Sequence, residues 1–103
     1  MAEFIFVYHG GAKPSDDVDV AAIMGQWQTW MGDAGDAFVN MGSPVGMSKT
    51  VSSAGVVDNG GSNPTSGFSI VQAADINAAC ELAKGCPIHE SGGSVEVAEM
   101  MKM

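Results

Sequence analysis

Apolar and polar positions along this chain follow two periods, and the change from one to the other marks out its elements. Glu3–Tyr8 (EFIFVY) is almost without polar interruption, which predicts a central strand covered on at least one face. From about Val18 to Ala34, the residues Val20, Ile23, Met24, Trp27, Trp30, Met31 and Ala34 recur at spacings of three and four. That stripe predicts an amphipathic helix of roughly four turns. Asp36–Met41 predicts a second strand, closed by Gly42, Ser43 and Pro44. Lys49–Ser52 and Val56–Val57 flank Ser53, Ala54 and Gly55, the pattern of a hairpin, and the turn-rich run 58–64 follows. Phe68–Ala73 is again β-rich. Asp75 then stands before Ile76, Ala79, Cys80 and Ala83, one apolar stripe of a helix that Asp75 can cap and that Gly85 and Pro87 stop. In Ser94–Met100, Val95 and Val97 alternate with Glu96, predicting a strand with one wet face.

The order β-α-β, further β, then α-β is that of an α+β fold: a ferredoxin-like split βαβ protomer, one antiparallel sheet with two helices on one face. Apolar residues of both parities in Phe4–Tyr8, with Phe68 and Ile70, argue that the other face is not wet either. A second copy of the chain, sheet against sheet, would cover it. The expectation is a homodimer, pairing as a dimeric α+β barrel.

Composition narrows the function. At 103 residues the chain is expected to be a single domain spanning 1–103, soluble and globular, with 46% apolar residues and 14 glycines. Four lysines and no arginine stand against twelve carboxylates, a formal net charge of −8. No basic footprint can be assembled from that balance, so nucleic acid is not an expected partner. Asp16, Asp17 and Asp19 precede the first helix, where negative charge suits the helix dipole, and their spacing is not that of an EF-hand. The start lacks a basic n-region and its apolar run is too short to span a membrane, so the expected location is cytoplasmic. Two cysteines make no disulfide framework, and Cys80, on the helical stripe, is expected to be a buried thiol.

Several separated motifs occur in a recognisable order. They are YHGG at 8–11, Met24, Trp27 and Trp30 at spacings of three, Gly35, GSPVGMSKTV at 42–51, GFSIVQA at 67–73, Ala79 through Leu82, Ala83, Gly85, Cys86 and Pro87, and GGSVEV at 92–97. With these the chain resembles the YCII-related, or DGPF-type, domain over nearly its whole length. The resemblance implies the dimeric α+β barrel superfamily. Relatives in that wider superfamily act on small organic molecules, among them muconolactone isomerases, dehydrochlorinases, monooxygenases and haem-dependent enzymes. The YCII-like branch has been proposed to use a histidine–aspartate pair with the histidine on the first helix. Here Trp27 and Trp30 stand on that helix, and no histidine lies between residues 10 and 88.

The residues offer one candidate chemistry. His9, directly after the first strand, is the general acid or base, because imidazole titrates near neutrality. Asp36 or Asp58 is its orienting carboxylate. Lys49 or Ser48 anchors a carboxylate or enolate oxygen of the substrate, and Trp27 or Trp30 lines a pocket for an aromatic one. His89, in a loop beside Glu90, is expected at the surface. Two histidines make no three-ligand zinc site, and neither a metal nor another cofactor is expected. These residues describe a cofactor-independent lyase or isomerase acting on a small organic molecule by proton transfer. The alternative is a non-catalytic domain that binds a small ligand or another protein.

Overall fold

A computed structural model describes residues 1–10, 20–58 and 64–101. The elements are β1 (Ala2–His9), α1 (Val20–Ala34), β2 (Phe38–Pro44), β3 (Thr50–Ser52), β4 (Gly55–Val57), β5 (Thr65–Ala73), α2 (Ile76–Lys84) and β6 (Ser94–Glu99). Single 3-10 turns lie at Gly35–Ala37 and Pro87–Ser91. A four-stranded antiparallel sheet runs β2-β5-β1-β6, and β3 and β4 form a separate two-stranded sheet. The Asp16, Asp17 and Asp19 cluster and much of the turn-rich run lie outside the described residues.

Alternation along β1 builds the core. Phe4, Phe6 and Tyr8 are buried on one face, while Ile5 and Val7 between them are half-buried on the other. Val71 and Ser69 of β5 join the buried side, with Val95 and Val97 of β6 packed at its margin. Both helices lie on that face, because Trp30 of α1 and Ala79 and Ala83 of α2 belong to the same cluster. One layer of sheet and one of helix give a thin body of 41 × 39 × 18 Å.

The helices are set by local chemistry. Asp75 accepts a hydrogen bond from the Ala78 amide at 2.8 Å and caps α2. Gly85 ends α2 with φ −83°, so a left-handed turn is not what it supplies. It supplies room: a Cβ there would sit 3.3 Å from Trp30 Nε1. Trp30 thereby reaches over the helix end and donates to the Leu82 carbonyl at 3.1 Å, satisfying a buried indole N–H and a terminal helix carbonyl together. Glycine is also required at Gly42, where β2 breaks register against β5. Its φ is +76°, and a Cβ would fall 1.7 Å from the Phe68 carbonyl oxygen.

Four expectations are corrected. The sheet does not close into a barrel. It is open, with β2 and β6 as its two edges, and the chain between β2 and β5 forms the separate β3–β4 hairpin. The expected homodimer finds no support among the described residues. The second sheet face carries Ile5, Val7, Phe68 and Ile70, but each is half-buried within the chain, and Glu3, Gln72 and Glu96 stand among them. On α2 the buried stripe is Ala79, Leu82 and Ala83, which leaves Ile76 45% exposed and Cys80 exposed as well. The buried thiol is Cys86, just past the helix end. On α1, Met24 faces solvent at 56% exposure instead of lying in the stripe.

Candidate functional site

His9 ends β1, and a bulge aims it. Register between β1 and β5 slips at Tyr8/His9, so that Tyr8 faces Gly67 and His9 faces Thr65. Thr65 Oγ1 pins the irregularity, donating within reach of the Tyr8 carbonyl (3.3 Å) and the Gly67 carbonyl (2.9 Å). The imidazole is thereby brought against Pro64, whose carbonyl lies 3.2 Å from Nδ1 and can only accept. On the other side, Ser94 stands opposite His9 in β6, and Glu96 is the diagonal neighbour. Glu96 Oε1 lies 3.0 Å from His9 Nε2.

The geometry has a plain consequence. His9 is 8% exposed, and both its ring nitrogens face acceptors. A neutral imidazole carries one N–H and can serve one of them, whereas an imidazolium serves both. No ring nitrogen is left over to exchange a proton with a third group. The arrangement clamps the ends of β1 and β6 and the residue before β5 to one another.

The structure does not bring the other expected residues to His9. Asp36 is exposed in the 3-10 turn after α1, and its backbone carbonyl accepts from Gln72 Nε2 at 2.9 Å. Asp58 pairs with Lys49 at 3.2 Å, both side chains well exposed at the base of the hairpin. That pair occupies the cation expected to hold an anionic substrate. Ser48, half-buried, precedes it. His89 lies in the turn after α2, exposed overall, with Nε2 2.9 Å from the Ala83 carbonyl. The partner missed in the sequence is Glu96.

Trp27 and Trp30 form an aromatic wall inside the molecule. Trp30 stacks on Phe6 at 6.3 Å between ring centres and meets Phe38 edge-on at 5.1 Å. Trp27 meets Tyr8 edge-on at 4.8 Å and Trp30 at 5.7 Å. These contacts hold α1 to the sheet, so both indoles are committed to the core. One edge of Trp30 shows in an open groove with Gly25, Gln26, Gly85 and Pro87, far from enclosed. Beneath the wall, the Tyr8 hydroxyl donates to Ser69 Oγ at 2.8 Å, which donates to the Met41 carbonyl at 2.7 Å. Burial pushes the Tyr8 phenol well above its usual range, so it stays a donor.

Among the described residues no three of His, Cys, Asp and Glu come together to hold a metal ion. None of their helices is long and apolar enough to cross a membrane.

What stands out on the surface is the hairpin. Every residue of β3 and β4 is exposed. Met47 on the approach is 92% exposed, Val51 75%, Val56 61% and Val57 50%. Val51 and Val56 face each other across the ribbon, forming one apolar side, and Val57 lies on the other opposite Thr50.

No protein-family model matches the chain, and no curated protein matches it.

Proposed function

We propose that this chain is a non-catalytic accessory domain that engages another protein, with the β3–β4 hairpin as its contact. One observation carries this: a two-stranded ribbon projects with its valines and a leading methionine in water. An isolated hairpin is marginally stable, and apolar side chains along it gain from a surface to pack against. Burying about 300 Å² of such surface would contribute on the order of 7 kcal/mol before association costs. The exposed Lys49–Asp58 pair at its base suits a polar rim.

Proton-transfer catalysis has less support. For it, His9 would first have to release Pro64 or Glu96, and the open groove beside Trp30 does not include His9. A small ligand could lie in that groove only with much of its surface in water. The resemblance to the YCII-related domain rests on the sequence motifs alone. A reducing compartment such as the cytoplasm suits the two free thiols.

Site-specific photo-crosslinking in cells that make the protein tests the proposal. A crosslinking side chain at Val51 should give a discrete protein adduct that the same group at Ala21, exposed on α1, does not. Combining Val56→Asp with the Val51 crosslinker should abolish the adduct while the circular dichroism spectrum is unchanged. Identical adducts from both positions, or none from Val51, would overturn it.

A further inference from the structure

The two edges of the main sheet are unlike. β2 breaks register twice against β5, carries Gly42 and ends on Pro44, all features that discourage a further strand. β6 has none of them. Its register against β1 is unbroken from Ser94 to Glu99, and it contains no proline, glycine or lysine. The Met100 amide donates to the Glu3 carbonyl at 2.9 Å, which fixes the phase of the ladder. Ala98 and Glu96 therefore turn their N–H and C=O groups toward β1, and Val95, Val97 and Glu99 turn theirs outward. Among the described residues, no strand other than β1 pairs with β6.

Charge selects what could pair there. Glu96 shares a face with Val7 and Glu99 shares the opposite face with Phe4, so an added strand meets a carboxylate on each side. The whole chain carries −8. A second copy pairing antiparallel along the same edge would bring either Glu96 or Glu99, according to register, opposite or diagonal to its own equivalent, and like charges placed so across a sheet are destabilising. A basic segment meets both carboxylates favourably. We propose that β6 receives an extended lysine- or arginine-bearing segment of another protein as a fifth strand of the sheet. This contact is separate from the hairpin and does not depend on it. Backbone hydrogen bonds to Val95, Val97 and Glu99 would hold the segment, and the two glutamates would select its charge.

The test uses the full chain with a synthetic octapeptide of alternating lysine and valine, and a glutamate–valine octapeptide as its counterpart. Amide exchange is followed by NMR and affinity by fluorescence polarisation. The lysine peptide should bind at least tenfold tighter than the glutamate peptide. It should slow exchange at Val95, Val97 and Glu99 at least tenfold, while Glu96 and Ala98, already bonded to β1, change little. Val97→Pro removes the central outward donor without altering net charge or the ladder to β1, and should reduce affinity at least tenfold. Glu99→Lys should weaken binding several-fold. Should Val97→Pro not fold, the exchange pattern of the natural chain decides alone. Protection spread over the acidic surface, or affinity unchanged in folded Val97→Pro, would show attraction by charge only and overturn the proposal. So would protection of the same three amides that rises with protein concentration in the absence of peptide, which would make a second copy the occupant.

Discussion

Replacing Ser69 by alanine should cost far more than loss of one hydroxyl suggests. Ser69 is fully buried at the centre of β5, and its Oγ both accepts from Tyr8 and donates to Met41. Ser69→Ala strands two groups: a buried phenol with no acceptor, and a carbonyl in the irregular part of β2 with no donor. Leaving a buried polar group unsatisfied costs about 1–3 kcal/mol each, so the sum should be about 2–4 kcal/mol, tempered where water reaches the β2 edge. Tyr8→Phe removes one bond but leaves Ser69 its bond to Met41, and should cost about 1 kcal/mol. In the double variant the phenol is absent, so removing Ser69 strands only the Met41 carbonyl. The two changes should therefore sum to less than their separate costs, with a coupling of about 1 kcal/mol. Urea unfolding of the four proteins at neutral pH measures this, and the separate melting points should fall by several degrees per kcal/mol. A Ser69→Ala cost below about 0.5 kcal/mol, or strict additivity, would refute the relay as a load-sharing unit.

Four further outcomes follow from individual residues. Asp75→Ala should destabilise the fold by about 1 kcal/mol by denaturant unfolding, since it removes the acceptor of the Ala78 amide. Gly42→Ala should cost more than about 2 kcal/mol in the same assay, because the left-handed backbone and the Phe68 carbonyl both oppose a Cβ. Burial pushes the Cys86 thiol up to about 11, so the native state holds its proton after the unfolded chain has begun to lose it. The raised value means a contribution present in full below about pH 8, where both states are protonated. Stability should then decline as pH rises toward 11, less steeply in Cys86→Ala, and Tyr8 should act in the same direction at the upper end. In native protein, iodoacetamide should modify exposed Cys80 and spare Cys86 until the chain is unfolded, as mass spectrometry would show.

The elements were legible where one period dominated. β1 declared itself through uninterrupted apolar residues, and α2 through its cap at Asp75 and stop at Gly85. The phase of α2 was not legible from its first turn. Ile76, Ala79, Cys80 and Ala83 satisfy the helical spacing as well as Ala79, Leu82 and Ala83 do, and packing into the core cluster chose the second set, with Leu82 at its margin. The barrel failed for a different reason. Apolar residues of both parities in β1 and β5 state that neither sheet face is strongly polar. They do not state how much of the second face neighbouring side chains already cover, and there Ile5, Val7, Phe68 and Ile70 are half-buried in one chain.

The candidate site was legible only in its first member. His9 was visible as a strand-end histidine, but its carboxylate lies 87 positions away in the last strand. Asp36 and Asp58, the carboxylates expected beside it, both flank loops. Loops place residues loosely, whereas a sheet ladder places diagonal neighbours within reach of one another. A signal for Glu96 did exist in the sequence: it is the polar member of the alternation Val95, Glu96, Val97, so it had to face away from the core. With β1 and β6 as antiparallel neighbours, His9 and Glu96 fall on that same face, one step apart along the diagonal. The same ladder also makes this histidine a fastener of strand ends. The sheet supplies Glu96 to one ring nitrogen, while the bulge at Tyr8/His9 turns the other toward the Pro64 carbonyl. Both nitrogens of His9 are thus turned to strand-end acceptors, while among the described residues the outer edge of β6 carries no further strand and the hairpin valines stand exposed.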